Sequence, residues 1–540
     1  MPTLNWIGKD KVVNHHHDVP FRVLDHKYGF VAETGEQPIE VKSGNKIIHG
    51  DNLEALKALL PEYEGQIKCI YIDPPYNTGN EGWVYNDNVN HPKIKKWLGE
   101  VVGKDGEDFT RHDKWLCMMY PRLKLLHKLL ANEGVIFISI DDNELANLRL
   151  ICDEVFGKIN FIEYFSWMKT ETPANLSLKS KKSIQYILCY QKIKDNKKFK
   201  GLVKDSKSSN GLMNQTNTAK ELVFPPHLID TALKNGIYKA KKYGTRSYEI
   251  DLLEDTEVKN GIFIKPIRLF GKFKWSQNNL ENEITNGTKI SIRTLAFSPS
   301  YEKAEYDPEV PWNIIDRDFG VETNENASTE LNEIFGEKVF DFPKTPSLIE
   351  YLINFNTNKN DIILDSFAGS GTTAHAVLNL NKKDKGNRKF ILIEMEEYAE
   401  TITAERIKRV IKGYSGKAGT GGSFDFYELG APIFNLDQNL NEEVGEKKKR
   451  EYIYYTETKK HLEREQLAEH KYFLDTYNKT SYYFYYEKDR FTTLSLETLS
   501  IVAEEAEQYL IYADHCLLDK DYMMARNIIF KKIPRDIKRF

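Results

Sequence analysis

The sequence predicts an α/β protein with a Rossmann-like, doubly wound and mostly parallel sheet, into which another domain is inserted. Two observations indicate this fold. Apolar strand segments alternate with amphipathic helix segments before residue 160 and again after residue 345. The stretch between them is rich in Lys, Asn, Ser and Thr and lacks that alternation. Strands that alternate with helices are typical of a parallel sheet covered by helices on both faces.

The first half of the predicted sheet precedes the inserted stretch. NKIIHGDN predicts a short strand that ends at Gly50 and Asp51, and NLEALKALLPEYEG predicts an amphipathic helix. IKCIYID predicts a second strand, which is apolar on both faces as strands of a covered parallel sheet are. WLCMMYPRLKLLHKLLANEG predicts a helix closed by Gly134, and GVIFISIDD predicts the next buried strand.

The second half of the predicted sheet follows the inserted stretch. SLIEYLINF predicts a helix, DIILD a strand, the residues from Thr372 a helix, and KFILIE a further strand. A Gly-rich linker, YSGKAGTGGS, leads to a tyrosine-rich C-terminal region of α+β character. We therefore predict five segments, which are an N-terminal extension (1–44), the first half of the core (45–164), an insertion (165–335), the second half of the core (336–412) and a C-terminal region (413–540).

The composition excludes several classes of protein. The 76 basic and 80 acidic residues give a net charge of −4, so a nucleic-acid binder of this balance needs its positive charge on one face. No stretch approaches the roughly 18 to 20 apolar residues of a membrane span, and MPTLNWIGKDKVV lacks the apolar core of a signal peptide. We therefore expect a cytoplasmic protein without a membrane partner.

Cysteine and histidine usage predicts no bound metal. The five cysteines are scattered and form no CxxC pair, which argues against a disulfide framework and against a zinc site. His15 to His17 form a histidine tract, but no second cluster of ligands accompanies it. We interpret the tract as a polar loop.

DIILDSFAGSGTTAHAV places a glycine-rich turn between a strand and a helix. The glycines let a ligand approach the backbone, and the amides of the helix N-terminus face it. A phosphate-binding loop needs a lysine after its last glycine, and a dinucleotide site needs a third glycine; both are missing here. The remaining readings are a turn that binds nothing and a site for a cationic nucleoside, with Asp365 and Glu394 at two strand ends as acceptors for ribose hydroxyls.

CIYIDPPYNTG ends another strand with an acid, two prolines and a tyrosine. The carboxylate of Asp73 and a prolyl carbonyl are both acceptors, so they suit the two hydrogens of an exocyclic amine. The ring of Tyr76 suits stacking on a flat heterocycle. Taken alone, the stretch is better interpreted as a plain loop, because Asp-Pro commonly opens turns.

Together, DPPY and DSFAGSGTT resemble the motifs of the amino-methyltransferases that modify DNA with S-adenosyl-L-methionine, in which [DNS]PP[YFW] is catalytic. With the catalytic motif first, the chain resembles the beta class, a circularly permuted class I methyltransferase fold whose insertion is a target-recognition domain for DNA. The acid-led motif resembles adenine-N6 enzymes more than cytosine enzymes. NWIGKDKVVNHH, ISIDDNE, VFGKINFI and GGSFDFYELG extend the resemblance, from Asn5 to Gly430, to the modification (Mod) subunit of type III restriction-modification systems.

The resemblance implies roles for individual residues. Asp73 and Pro74 accept from the target amine, Tyr76 stacks on the adenine, and Pro75 completes the catalytic motif. The adenine is flipped out of the duplex, and direct in-line transfer relies mainly on proximity. The residues implied to bind S-adenosyl-L-methionine are Asp51, Asn52, Lys344, Thr345, Asp365, Phe367, Ala368, Gly369, Ser370, Gly371, Thr372, Thr373 and Glu394.

The resemblance also implies partners, which are double-stranded DNA, a second copy of the chain in a homodimer, and a helicase-nuclease restriction subunit on another polypeptide. The insertion offers basic candidates for DNA contact, which are Lys169, Lys179, Lys181, Lys182, Lys272, Lys274 and Arg293. The C-terminal tyrosines are expected in strand packing or a subunit interface, and these are Tyr482, Tyr483, Tyr485 and Tyr486.

Three other functions remain open from the sequence. One is a solitary DNA adenine methyltransferase without a restriction partner. Another is methylation of RNA or of a protein glutamine, against which Asp73 and the large insertion argue. The third is a catalytically inactive DNA-binding subunit, against which both intact motifs argue.

Overall fold

The computed structural model describes residues 4–78, 96, 111–173, 178–201, 210–245, 248–303, 308–463, 470–502 and 504–535. The chain forms two compact units. The first combines Met1–Phe199 with Trp312–Phe540, and the second is Lys200–Pro311. The second unit therefore lies within the predicted insertion (165–335) and is narrower than it.

A mixed sheet is the centre of the first unit. Its eleven strands within the described residues are β1 (Arg22–Val31), β2 (Gly35–Gln37), β3 (Lys46–His49), β4 (Ile67–Ile72), β5 (Leu130–Ile140), β6 (Phe161–Met168), β7 (Ile184–Gln191), β8 (Ile314–Ile315), β9 (Ile362–Asp365), β10 (Lys389–Glu394) and β11 (Ser423–Pro432). Their order across the sheet is β8-β6-β7-β5-β4-β9-β10-β3-β11-β1-β2. Six neighbouring strands run parallel to one another, and these are β5, β4, β9, β10, β3 and β11. The predicted fold class is therefore confirmed.

Helices cover both faces of this sheet. The helices of the described residues are α1 (Lys9–Val12), α2 (His15–Asp18), α3 (Asn52–Tyr63), α4 (Arg111–Leu129), α5 (Leu145–Cys152), α6 (Gln277–Thr285), α7 (Asn324–Phe335), α8 (Pro346–Asn354), α9 (Thr372–Asp384), α10 (Glu405–Lys412), α11 (Glu446–Thr458) and α12 (Lys520–Ala525). On β4, Ile70 and Ile72 join a core with α3 and α4, whereas Cys69 and Tyr71 join a core with α8 and α9. Successive strand residues point to opposite faces, so both faces of β4 are buried.

Parts of the predicted outer segments belong to this sheet. β6 and β7 pair with each other, and β7 pairs antiparallel with β5, although half of β6 and all of β7 fall in the predicted insertion. β1, from the predicted N-terminal extension, pairs antiparallel with β11, from the predicted C-terminal region. The sheet therefore extends beyond the two segments that carry its motifs.

Two local predictions are wrong. α4 ends at Leu129 and β5 begins at Leu130, so Gly134 does not close the helix. Gly134 lies inside β5, where a Cβ atom would stand 2.8 Å from the carbonyl oxygen of Ile67, which leaves no room for a side chain. The histidine tract forms α2 instead of a loop, and His16 is buried.

The second unit consists of two antiparallel-rich sheets around their own core. The strands of one sheet are Asn210–Gly211, Ile229–Thr231, Gly236–Tyr238, Thr256–Lys259, Ile262–Phe263, Lys289–Ile292 and Pro299–Glu302. Those of the other are Lys220–Phe224, Lys241–Gly244, Glu249–Leu252 and Ile267–Gly271. Phe224, Phe263 and Leu269 are among the fully buried residues that both sheets enclose.

The C-terminal part of the first unit adds a smaller sheet beside α11. Its strands are β12 (Phe473–Tyr477), β13 (Thr480–Phe484), β14 (Gln508–Ala513) and β15 (Ile528–Lys532). Tyr483 and Tyr486 are fully buried, so these tyrosines pack inside this region. No helix in the described part of the chain is long and apolar enough to span a membrane.

Candidate active site

Polar side chains meet where four neighbouring strands of the main sheet end. Asp73 follows β4, Asp365 ends β9, Glu394 ends β10, and Asp51 and Asn52 follow β3. These strands are adjacent and parallel in the order β4-β9-β10-β3, so their carboxyl ends lie at one edge of the sheet. Open α/β sheets bind ligands at that edge. The two motifs that lie almost three hundred residues apart in sequence are thus brought together.

The carboxylate of Asp73 is buried and already has two donors. One oxygen accepts from the hydroxyl of Tyr76 at 2.6 Å, and the other pairs with Nζ of Lys344 at 2.6 Å. Asp73 and Lys344 are 7% and 6% exposed, so each charge needs the other to be tolerated there. Lys344 was predicted to bind the cofactor, and the structure places its amine on the predicted catalytic acid.

The ring of Tyr76 is buried in this arrangement. Nζ of Lys344 lies 5.2 Å from its centroid. Burial, followed by the negative charge of Asp73, raises the pKa of the Tyr76 hydroxyl well above its usual range. Tyr76 therefore remains a donor to Asp73. Its predicted stacking on adenine stays a prediction, as does the acceptor role of Pro74.

Three residues outside the motif hold the turn that contains it. Nε1 of Trp115 donates to the carbonyl of Pro75 at 2.6 Å. Asn77 adopts a left-handed conformation (φ 57°), and its amide donates to the carbonyl of Arg111 at 3.1 Å and to the carboxylate of Glu144. Sequence reasoning missed Trp115 and Glu144, because neither lies in the motif and their contacts are made through space.

The glycine-rich turn after β9 is shaped by Asp365. One oxygen of Asp365 accepts from the amide of Phe367 at 3.0 Å, and the other accepts from Oγ1 of Thr373 at 2.5 Å. Burial raises the pKa of Asp365 to about 7, and the nearby charge of Asp73 acts in the same direction. Gly371 has φ 82°, and a Cβ atom on it would stand 3.1 Å from the carbonyl oxygen of Thr403. Only glycine suits this position.

Glu394 holds the other side of the turn. It accepts from the backbone amide of Gly369 at 2.7 Å and from those of Met395 and Glu396 at 2.9 and 3.0 Å. Burial raises the pKa of Glu394 to about 8. A carboxylate has about four acceptor positions, so the three amides use most of them. Glu394 therefore orders the loop, and its contact with a ribose stays a prediction.

Asp51 and Asn52 connect two strand ends. Asp51 caps α3 by accepting from the amides of Leu53 and Glu54 at 2.9 and 3.1 Å. Asn52 donates to the carbonyl of Ser366 at 3.3 Å and accepts from Nε of the buried Arg122 at 2.6 Å. The end of β3 is thereby fixed against the turn after β9.

The remaining predicted cofactor residues lie in the same place. Ala368, Ser370, Thr372 and Thr345 are buried, and Thr345 immediately precedes α8. The hydroxyl of Thr372 donates to the carbonyl of Lys344 at 3.2 Å, which joins the glycine-rich turn to the loop before α8.

The predicted DNA-contacting residues are distributed over both units. Lys169, Lys179, Lys181 and Lys182 belong to the first unit, whereas Lys272, Lys274 and Arg293 belong to the second. Lys182 pairs with Asp142 at 2.8 Å.

The arrangement fits a nucleoside ligand beside a group that carries an amine. A left-handed glycine turn, a helix N-terminus and two buried carboxyl groups suit the nucleoside. A buried acceptor at the end of the neighbouring strand suits the amine. S-Adenosyl-L-methionine and a nucleobase meet these two requirements.

Comparison with known proteins agrees with this geometry. A family model described as DNA methylase matches residues 67–405, which contain both motifs. The StyLTI Mod subunit of a type III enzyme from Salmonella typhimurium is 30% identical over 464 residues, which are 79% of this chain and 66% of that protein. The EcoPI Mod subunit from Escherichia phage P1 is 32% identical over 472 residues, 76% of this chain and 68% of that protein.

A relative of another type is also similar. The type II methyltransferase M.KpnI from Klebsiella pneumoniae is 30% identical over 361 residues, which are 65% of this chain and 81% of that protein. The chain thus spans about two thirds of the length of the two Mod subunits and more of the type II enzyme.

Proposed function

Because the chain belongs to the DNA methylase family that its residues 67–405 match, we propose that it transfers a methyl group from S-adenosyl-L-methionine to N6 of adenine in duplex DNA. We further propose that it is the modification subunit of a type III restriction-modification system. Membership of this family confirms the resemblance that DPPY and FAGSGTT carry in the sequence.

One observation carries the proposal. The Asp73 turn and the glycine-rich turn end the adjacent parallel strands β4 and β9. Lys344 and Thr372 connect them, since Nζ of Lys344 contacts Asp73 and the Lys344 carbonyl accepts from Thr372. A methyl donor held by one turn is then next to an amine held by the other, and such proximity supplies much of the acceleration of a two-substrate reaction.

The residues of the chain have distinct tasks in this reaction. The lone pair of the adenine amine is drawn into the ring, so the amine must be oriented more than deprotonated before attack. Asp73 accepts one of its hydrogens, and Lys344 pairs with Asp73 in its buried position. Asp365, Glu394 and the glycine-rich turn would hold the cofactor, which supplies an electrophilic methyl group. The adenine has to leave the duplex to reach them.

A solitary type II methyltransferase is the second candidate. The similarity to M.KpnI supports it, because this chain covers more of that protein than of the Mod subunits. The adenine chemistry is the same in both proposals. They differ in the predicted partners, which are a homodimer and a helicase-nuclease subunit for the type III system.

The test is a transfer assay with purified protein, methyl-labelled cofactor and a library of duplex DNA. We expect label in N6-methyladenine after nucleoside digestion. Asp73→Ala should abolish transfer, whereas cofactor affinity measured by calorimetry should stay within about twofold, because Asp73 contacts the amine. Label in N4-methylcytosine would contradict the adenine assignment, and label in RNA but in no DNA would contradict both candidates.

A second experiment separates the two candidates. The affinity-tagged protein is produced in its native host and purified without crosslinking. Co-purification of a chain with helicase and nuclease activity supports the type III proposal. Purification of an active methyltransferase alone, from a host whose neighbouring genes encode no such chain, supports the solitary enzyme.

A further inference from the structure

Arg406, in α10, lies directly behind the glycine-rich turn. Its side chain is fully buried. One guanidinium nitrogen donates to Oγ of Ser370 at 2.8 Å, to Oγ1 of Thr372 at 2.8 Å and to the carbonyl of Ser370 at 3.3 Å. Another nitrogen lies 3.2 Å from Nδ1 of His375. Arg406 is in neither sequence motif, and only the folded chain brings it to the turn.

The negative charge of Glu330 acts on Arg406 through space, but no direct ion pair balances the positive charge of Arg406 in the described residues. No carboxylate in the described part of the chain forms an ion pair with it, and all four of its hydrogen-bond contacts are formally neutral groups. Burial lowers its pKa to about 10, which still leaves it protonated at neutral pH. Burial and Arg406 lower the pKa of His375 well below its usual range, so that ring is neutral and accepts.

A buried cation without an anionic partner is costly unless another charge compensates it. Two further buried cations at this edge already have acidic partners, because Lys344 pairs with Asp73 and Arg122 lies 3.6 Å from Asp51. α9 begins at Thr372, so the positive end of a 13-residue helix dipole points to the same place. Of the two hydroxyls that accept from Arg406, that of Thr372 donates to the carbonyl of Lys344, so the hydroxyl of Ser370 is the one whose hydrogen is left for a ligand. The arrangement favours an anionic group on the ligand.

We propose that Arg406 is a positioning residue that makes the glycine-rich turn selective for the carboxylate of the cofactor's methionine moiety, through the hydroxyl of Ser370. The proposal rests on the proposed function, since it concerns the same cofactor. Different residues then act on the two ends of the cofactor. Glu394 and Asp51 act on the neutral nucleoside end, whereas Arg406 acts on the end that carries the carboxylate.

The test compares two ligands that differ only at that end. S-Adenosylhomocysteine carries the carboxylate, and 5′-methylthioadenosine has the same nucleoside and thioether without the amino acid. Calorimetry with the full chain should show that Arg406→Met weakens S-adenosylhomocysteine binding by about 10- to 30-fold, as expected for one lost charge interaction. Its affinity for 5′-methylthioadenosine should stay within about twofold. Arg406→Lys should restore most of the S-adenosylhomocysteine affinity.

Arg409→Met is the matched control. Arg409 lies on the same helix but bonds to Glu405 and to the carbonyls of Ile334 and Phe335, so both affinities should remain unchanged. An equal loss of both ligands in Arg406→Met would show a purely structural role and overturn the proposal, as would no loss of either. If Arg406→Met does not fold, the affinities of Ser370→Ala for the same two ligands provide the test. Failure of the wild type to bind either ligand would instead refute the proposed function.

Discussion

At the scale of single residues, the site depends on buried carboxyl groups at strand ends. The sequence predicted Asp73, Asp365 and Glu394 there, because each follows an apolar run that reads as a strand of a parallel sheet. It did not predict what they bond to. Lys344, 271 residues after Asp73, is an ion-pair partner that local patterns do not encode. The apolar pattern of the sequence identifies which residues lie at the strand ends of the sheet. The contacts between those residues depend on tertiary packing, which the pattern does not show.

The raised pKa of Glu394 predicts a pH dependence of stability. A carboxyl group whose pKa rises to about 8 in the folded chain binds its proton more tightly there than in the unfolded chain, where the value is about 4.3. Between these values the native state holds a proton on Glu394 that the unfolded chain lacks, so the contribution of this group to stability falls as pH rises from about 4 to about 8. Glu394→Gln should flatten this fall.

The measurement is the unfolding midpoint in denaturant at several pH values from 5 to 8. The quantity compared is its slope with pH, because the substitution also changes absolute stability. Glu33→Gln, at an exposed glutamate, is the control and should leave the slope unchanged. A slope that is equally steep in Glu394→Gln would show that this carboxyl group is not the source.

Lys344 allows a second prediction at this scale. Lys344→Met leaves the carboxylate of Asp73 without its cation, so we expect kcat to fall by about 10- to 100-fold, the effect of misplacing a catalytic group. Lys344→Arg should recover part of kcat. Steady-state kinetics separate this role from the predicted cofactor contact. A rise in KM for the cofactor with an unchanged kcat would support the contact with the methionine end and contradict the role at Asp73.

At the scale of elements, alternating apolar patterns predicted most helices and strands of the core. DIILD and KFILIE are β9 and β10, and SLIEYLINF lies within the region of α8. The prediction failed where glycine can have either of two structural roles. Gly134 reads as a helix cap, but it permits a close approach between β5 and β4. Local sequence does not distinguish these uses, since both require a missing Cβ atom.

The contacts of Glu144 predict that two elements act together to hold the catalytic turn. Glu144 is fully buried before α5 and accepts from Asn77 of the turn and from Nδ1 of His112, at 2.6 Å, in α4. Glu144→Ala should let the turn move, and kcat should fall by about 100-fold while cofactor affinity is retained, because a displacement of about 1 Å has that effect. Calorimetry and steady-state kinetics provide the two values.

Asn147→Ala is the control for this prediction. Asn147 donates to the other oxygen of Glu144 at 2.8 Å but does not contact the turn. We therefore expect its kcat to fall by less than about threefold, as for the loss of one neutral donor. Equal losses in the two variants would mean that Glu144 contributes only to stability.

At the scale of the whole molecule, the sequence predicted one sheet made from two distant segments with an insertion between them. This holds, yet β1 and β11 join the sheet across about 400 residues. Such pairings depend on register and edge availability, which a single sequence does not express. The same limit explains why the predicted insertion was too wide. β6 and β7 lie at and beyond the predicted boundary at residue 165, and only the pairing of β7 with β5 and of β6 with β7 shows that they extend the main sheet.

The second unit is organised as a self-contained insertion. Its core of Phe224, Phe263, Leu269 and other residues is separate from the two cores of the main sheet. The chain enters and leaves it side by side, because the amide of Gly201 donates to the carbonyl of Glu309 at 2.7 Å. Neighbouring ends of this kind are typical of domains that tolerate insertion and removal. We propose that this unit contributes the recognition of the DNA sequence.

Replacing residues 202–308 by a short Gly-Ser linker tests whether the second unit is needed for DNA recognition but not for cofactor binding. We expect the variant to bind S-adenosylhomocysteine within about threefold of the wild type, because every predicted cofactor residue and the cores beneath them belong to the first unit. Site-specific methylation of duplex DNA should be lost. The triple substitution Lys272→Ala, Lys274→Ala and Arg293→Ala, in the intact chain, provides the milder comparison. If these residues contact phosphates, it should weaken DNA binding more at low salt than at high salt and make the dependence of affinity on salt shallower. Methylation of the same DNA sequence by the linker variant would show that recognition lies in the first unit, which also contains Lys169 and Lys182.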